Sequence, residues 1–121
     1  MGFNFDNNIP IYIQLVEKIE KYIISGKLKV GERLPSVREF ANVFQVNPNT
    51  MQKALQELEE KKLIYTERTN GKFVTNDYKI IEKLKKEYAN NLVDNYYEKM
   101  LDLGFTKEET FEYLKERKNI K

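Results

Sequence analysis

The chain contains neither cysteine nor histidine, and together the two absences remove most of the usual catalytic and metal-binding chemistry. Without cysteine there is no disulfide and no thiolate metal site. Without histidine there is no imidazole general base, no common zinc ligand and no histidine-containing triad. Carboxylates and lysines remain, but they are spread along helical faces as a solvated surface. Enzymatic activity, a bound metal and a cofactor are therefore not expected. Long apolar runs are also missing, since none approaches the ~18 residues of a membrane span. The chain begins with Phe3, Phe5 and Asp6 where a signal peptide would place a basic and then an apolar region. A cytoplasmic location, with no membrane partner, is expected.

The 121 residues are 40% hydrophobic and 33% charged, enough for one modest core with an appendage. Net charge is only +2, divided evenly between residues 1–78 and 79–121, which by itself is weak support for a nucleic-acid partner. Placement says more than the total. Arg33, Arg38, Lys53, Arg68 and Lys72 cluster in the middle of the chain, whereas Glu57, Glu59 and Glu60 gather late in one predicted helix.

Pro10 is expected to open the first helix, at a position where its missing N–H is not needed. Tyr12, Leu15, Val16, Ile19, Tyr22 and Ile23 follow at three- and four-residue spacing, the mark of one buried face. Gly26 suits a left-handed cap after Ser25, and Lys27 to Leu34 reads as a loop carrying Gly31. Ser36 and Glu39 form an S-x-x-E capping box for a second helix, whose apolar side is Phe40, Ala41 and Phe44. Gln45-Val46 makes a short turn. Asn47 followed by Pro48 then signals a third helix, a side-chain cap before a proline at the first helical position. Met51, Ala54, Leu55 and Leu58 face inward, leaving Asn49, Gln52, Lys53 and Gln56 outside. Such a face suits a major groove, because amides can pair with adenine and lysine with guanine or phosphate.

Leu63 to Glu67 is β-prone. Asn70-Gly71 reads as a two-residue hairpin turn, with Lys72-Phe73-Val74-Thr75 returning. Such a hairpin is not stable alone and must pack on the helices as a wing. From Tyr78 to Leu103 neither glycine nor proline interrupts the chain. Ile81, Leu84, Tyr88, Leu92, Tyr96, Met100 and Leu103 recur there at three- and four-residue steps, on a helix of about 40 Å. Gly104 stops it, Thr106 and Glu109 repeat the capping box, and Phe111 and Leu114 mark a last helix. The expected fold is mainly α with a small β-hairpin: a winged helix-turn-helix over residues 1–76, then a two-helix hairpin over 77–121.

Each candidate also has a plain structural explanation. Arg38 could be an ordinary surface arginine, yet its place just past a helix cap lets it reach a phosphate or base edge. Asn47 is first a cap, and Asn70-Gly71-Lys72 first a turn. The tyrosines Tyr88, Tyr96 and Tyr97 are more simply packing residues than a ligand box. A helix-turn-helix pattern alone is unspecific; joined to a preceding helix and a wing it becomes specific.

From about Pro10 to Val74 the sequence resembles the GntR family of bacterial transcription regulators. The resemblance rests on Leu34-Pro35-Ser36-Val37-Arg38-Glu39-Phe40-Ala41, on Val46-Asn47-Pro48-Asn49-Thr50-Met51, on Ala54-Leu55-Gln56-Glu57-Leu58-Glu59 and on Asn70-Gly71-Lys72-Phe73-Val74. It implies phosphate contact at Ser36 and DNA contact at Arg38. It also implies base and phosphate reading by Asn47, Asn49, Thr50 and Lys53, and minor-groove approach at Gly71. With Arg33, Gln52, Asn70 and Lys72 added from their placement, these are the candidate DNA-binding residues. Many members carry arginine where this chain has Pro48, and a basic residue where it has Gln52, so guanine readings do not transfer.

Only a short tail follows the wing, too small for a metabolite-sensing or aminotransferase-like domain. It looks like the short YtrA-like branch, whose two-helix extension dimerises. That resemblance assigns Ile81, Leu84, Tyr88, Leu92, Tyr96, Met100, Leu103, Phe111 and Leu114 to a dimer interface. The implied partners are a double-stranded, pseudo-palindromic DNA operator and a second copy of the chain, with repression the expected outcome. A small-molecule effector, if one acts, is expected near Tyr88, Tyr96, Phe105 or Phe111. The alternative is a winged-helix protein-interaction module without specific DNA binding, which a third helix lacking exposed polar readers would favour.

Overall fold

Three helices contribute their apolar faces to one core, and the spacing of those faces explains why they meet. A computed structural model describes residues 4–117. Helix α1 spans Ile11–Ser25, α2 Val37–Phe44 and α3 Pro48–Glu60. Leu15, Val16, Ile19 and Ile23 of α1 pack with Phe40, Ala41 and Phe44 of α2 and with Met51, Ala54, Leu55 and Leu58 of α3. Full burial of such a leucine or isoleucine stabilises by about 1.5–3 kcal/mol. Pro10 lies one residue outside the first position expected for it. It is the N-cap of α1, and its carbonyl accepts from the backbone N–H groups of Ile13 and Gln14.

The helix ends are built as their sequences require. Ser36 caps α2 in a complete capping box with Glu39, and Asn47 caps α3 ahead of Pro48. Gln45, between α2 and α3, is left-handed at φ 56°. Its N–H donates to the Asn42 carbonyl and that of Val46 to the Ala41 carbonyl, the paired bonds of a Schellman stop. Lys62 ends α3 in the same way at φ 65°.

Strands β1 (Ile64–Glu67) and β2 (Gly71–Val74) form an antiparallel hairpin. Its turn differs from the expected one. Glu67 pairs with Gly71 and Thr66 with Lys72, so Arg68, Thr69 and Asn70 form the loop. The Asn70 N–H donates to the Glu67 carbonyl. A two-residue type I′ turn would need positive φ at both central residues. Here Gly71 has φ 100° and Asn70 is not among the positive-φ residues.

The segment expected to be a plain loop before α2 is also part of the wing. Arg33 bridges Phe73, the Leu34 N–H donates to the Lys72 carbonyl at 2.8 Å, and the Val74 N–H donates to the Glu32 carbonyl at 2.9 Å. These bonds make Glu32–Leu34 a third edge of the sheet.

One charged pair joins a buried carboxylate to a surface lysine. Glu20 of α1 is 3% exposed, and its carboxylate accepts from Lys61 Nζ at 2.9 Å. A carboxylate so buried persists only when it is paired or hydrogen-bonded. Burial pulls the Lys61 ammonium down, but hydrogen bonding and charge from Glu20, then Glu57, outweigh it and raise its pKa above the usual lysine value.

Helix α4 spans Tyr78–Asp102 and α5 Lys107–Glu116. The chain divides into two units at Leu84/Lys85, within α4. In the first unit Ile81 is 6% exposed and joins the winged-helix core, with Leu84 half-buried against it. These two positions of the expected dimer stripe are therefore occupied within the chain itself, because the first turns of α4 close the core.

In the second unit a Schellman stop centred on Gly104 (φ 97°) ends α4, and Thr106 and Glu109 complete a capping box on α5. The Tyr96 hydroxyl donates to the Thr110 carbonyl at 2.8 Å. Tyr97 meets Phe111 edge-on at 5.9 Å between ring centres, and Phe105 meets Tyr113 at 5.8 Å. Among the described residues no helix is long and apolar enough to cross a membrane, and no group of three or more acidic side chains is placed to hold a metal ion.

Candidate nucleic-acid interface

The start of α2, the start of α3 and the wing carry the candidate residues, and Arg33 links the first of these to the wing. At α2, the Ser36 Oγ accepts from the Glu39 N–H at 3.1 Å while Glu39 Oε1 accepts from the Ser36 N–H at 3.0 Å. A serine oxygen used in this way keeps its own O–H as a donor for a phosphate. The Ser36 backbone bond, then its side chain, hold the Glu39 carboxyl below the usual glutamate value, and the Arg33 charge adds to this. Arg38 is exposed one residue into the helix. An open groove of about 510 Å³ runs between the two helix starts, lined by Ser36, Arg38, Asn42, Val46 and Pro48 among others.

The outward face of α3 is as the spacing implied. Asn49, Gln52, Lys53 and Gln56 are exposed, Thr50 is half-buried, and Met51, Ala54, Leu55 and Leu58 are fully buried. Asn47 spends its amide oxygen on the Asn49 N–H at 2.8 Å. Lys53 Nζ lies 4.0 Å from the centre of the Tyr12 ring, a cation–π contact that holds this lysine toward α1.

At the wing, a Cβ built on Gly71 would stand 3.4 Å from Arg33 Nε and 3.6 Å from Arg33 Nη2. The Arg33 guanidinium thus crosses the wing at its glycine while feeling Glu39 on α2. Asn70 Nδ2 donates to Glu67 Oε2 at 3.0 Å. Lys72 has a different environment from the others: its Nζ donates to Glu59 Oε1 at 3.2 Å and to Thr66 Oγ1 at 2.9 Å. Spacing did not single out Asn42, which is one turn after Arg38 on the same groove, or Tyr12 and Glu59, which hold two of the lysines. Asn42 carried one signal, its four-residue step from Arg38, while Tyr12 was marked only as part of the buried face of α1 and Glu59 only as one of a late acidic cluster.

In the second unit, a cavity of about 380 Å³ is lined by Leu92, Val93, Tyr96, Tyr97, Thr110, Phe111 and Leu114. Tyr96 and Phe111, two of the four aromatic residues named around an effector, border it; Phe105 packs on Tyr113 instead.

A capped helix-turn-helix with an outward amide face, followed by a β-hairpin edge, defines a winged-helix DNA-binding protein. The model of the bacterial regulatory proteins of the gntR family matches residues 11–74, and the chain belongs to that family. It is 35% identical over 115 residues, 95% of both chains, to the HTH-type transcriptional regulator YhcF of Bacillus subtilis. It is 32% identical over 116 residues, 91% of this chain and 85% of the other, to the HTH-type transcriptional repressor YtrA of the same organism. Among solved structures, a GntR family transcriptional regulator from Listeria monocytogenes superposes with a TM-score of 0.84 at 42% identity, covering 93% of this chain and 98% of that one. The DNA-binding domain of AraR, solved in complex with an operator, superposes with a TM-score of 0.56 at 26% identity over 62% of this chain and 95% of that one. The chain is a GntR-family DNA-binding transcriptional regulator with repressors among its relatives.

Proposed function

We propose that the protein is a repressor that binds a pseudo-palindromic operator as a homodimer, with α3 in the major groove and the wing over the minor groove. The observation that carries this is the face of α3: three amides and one lysine exposed on a helix whose opposite side is wholly buried. Phosphate neutralisation by Arg38 and Arg33 supplies most of the affinity, and the Ser36 hydroxyl adds a neutral hydrogen bond to a phosphate. Asn47, Asn49, Thr50, Gln52 and Lys53 supply sequence preference, and Asn70 and Gly71 bring the wing tip to the backbone. The AraR domain bound to its operator and the repressor YtrA support the assignment.

The dimer reading is supported by apolar surface left uncovered in the second unit. Leu92 is 70% exposed, Leu103 74% and Phe111 56%, and Leu114 and Val93 are also open. Among the described residues of that unit only Met100 is a buried hydrophobic. A two-helix hairpin with so little interior is not stable alone, so a second copy covering Leu92, Tyr96, Phe111 and Leu114 accounts for both facts. A gel shift with the gene's own upstream DNA tests the reading. A retarded complex that survives excess non-specific DNA is expected, and its absence with any regulatory DNA would refute it.

A further inference from the structure

The hairpin's own side chains enter the core at its base, where Ile64 pairs with Val74 and both are buried, and the Leu34 N–H ties the β2 backbone at the Lys72 carbonyl. Side chains alternate along a strand, so residues two apart share a face. Thr66 and Lys72, the pair two residues further out, therefore continue the inward face toward α3. The Lys72 side chain is only 19% exposed, and its ammonium is held between Glu59 of α3 and Thr66 of β1. The Thr66 hydroxyl donates to the same Glu59 oxygen at 3.0 Å, closing a three-membered polar ring that joins α3, β1 and β2.

We propose that Lys72 is a strut that fixes the wing to the recognition helix, and not a DNA contact. The inference rests on the operator-binding reading above. It makes Lys72 and Glu59 positioning residues: together they set the angle at which the wing tip meets the backbone while α3 lies in the groove. An acidic residue on a recognition helix ordinarily opposes DNA, and Glu59 is kept harmless by being neutralised within the domain.

The test compares the full chain with Lys72→Met, Glu59→Ala and the double variant. Operator affinity is measured over a range of salt, and amide hydrogen exchange in the free protein. The strut requires each single variant to weaken operator binding about two- to fivefold, as for a partly exposed ion pair, and the double variant to lose no more than the worse single. It also requires an unchanged salt slope for Lys72→Met, and faster exchange of the wing amides in each variant with α1 and α3 still protected. A Lys72→Met slope lower by about one, together with tighter binding by Glu59→Ala, would make Lys72 a phosphate contact and overturn the proposal. So would unchanged wing exchange. If the wild-type chain binds no operator, the operator-binding reading falls, and the exchange data alone still decide the strut.

Discussion

Arg38 and Glu39 are neighbours on the first turn of α2 with opposite duties. Arg38 is exposed on the groove, and its charge is suited to a phosphate. Arg38→Ala should weaken binding evenly across operator variants and lower the salt slope by about one, with the melting temperature unchanged. Unchanged affinity and slope would remove it from the interface. Glu39 is held below its ordinary value of 4.5 by its bonds to Ser36. A depressed carboxyl contributes its full stability above the unfolded pKa and loses it as pH falls through the lower folded value. Protection of the amides at the start of α2, relative to their intrinsic exchange rates, should therefore fall as pH drops below the ordinary glutamate value, and Glu39→Gln should abolish that step. Ser36, Glu39 and Asn47 were legible in the sequence because capping is local. The burial of Glu20 and its pairing with Lys61, 41 residues away, were not, since nothing near Glu20 in the chain announces it.

The element ends decide how the parts are aimed. Lys62 ends α3 in a left-handed conformation at φ 65°, which is unfavourable for any side chain carrying a Cβ. Lys62→Gly should raise unfolding stability by about 0.5–1 kcal/mol in chemical denaturation, the relief being partly offset by the more flexible unfolded chain. A loss of stability would mean that Lys62 makes a contact worth more than its strain. Gly71→Ala acts in the opposite direction: at φ 100°, with Arg33 Nε 3.4 Å from the new Cβ, it should destabilise the wing by about 1–2 kcal/mol. Wing amide exchange would report this, and equal protection would contradict it. The helices were readable from their periodicity. The hairpin's existence was also readable, but not its register: Asn70-Gly71 is a favoured turn pair, yet packing of Ile64 and Val74 into the core fixes Thr66 opposite Lys72. The third edge at Arg33 was hidden because it pairs with Phe73, 40 residues on, and lies in a stretch with no strand alternation.

For the whole molecule, the stripe along α4 divides at the boundary between the two units. Ile81 and Leu84 serve the winged-helix core, while Leu92, Leu103, Phe111 and Leu114 remain open to a second chain. Spacing alone could not separate Ile81 and Leu84 from Leu92 and Leu103, because these four recur on one helical period, whereas Phe111 and Leu114 belong to α5. Leu92→Glu combined with Phe111→Glu should leave the winged helix folded but convert a dimer to a monomer in sedimentation analysis. It should also weaken operator binding, since the two half-sites are no longer read together. Dimers that persist would place the interface elsewhere.

The most direct measurement of the central claim is a titration of the full chain against labelled upstream DNA, with the same duplex scrambled in sequence as the reference. Recognition by the face of α3 predicts saturation at two chains per duplex and affinity at least about 10³-fold above the scrambled DNA at physiological salt. Equal affinity for both duplexes would contradict it.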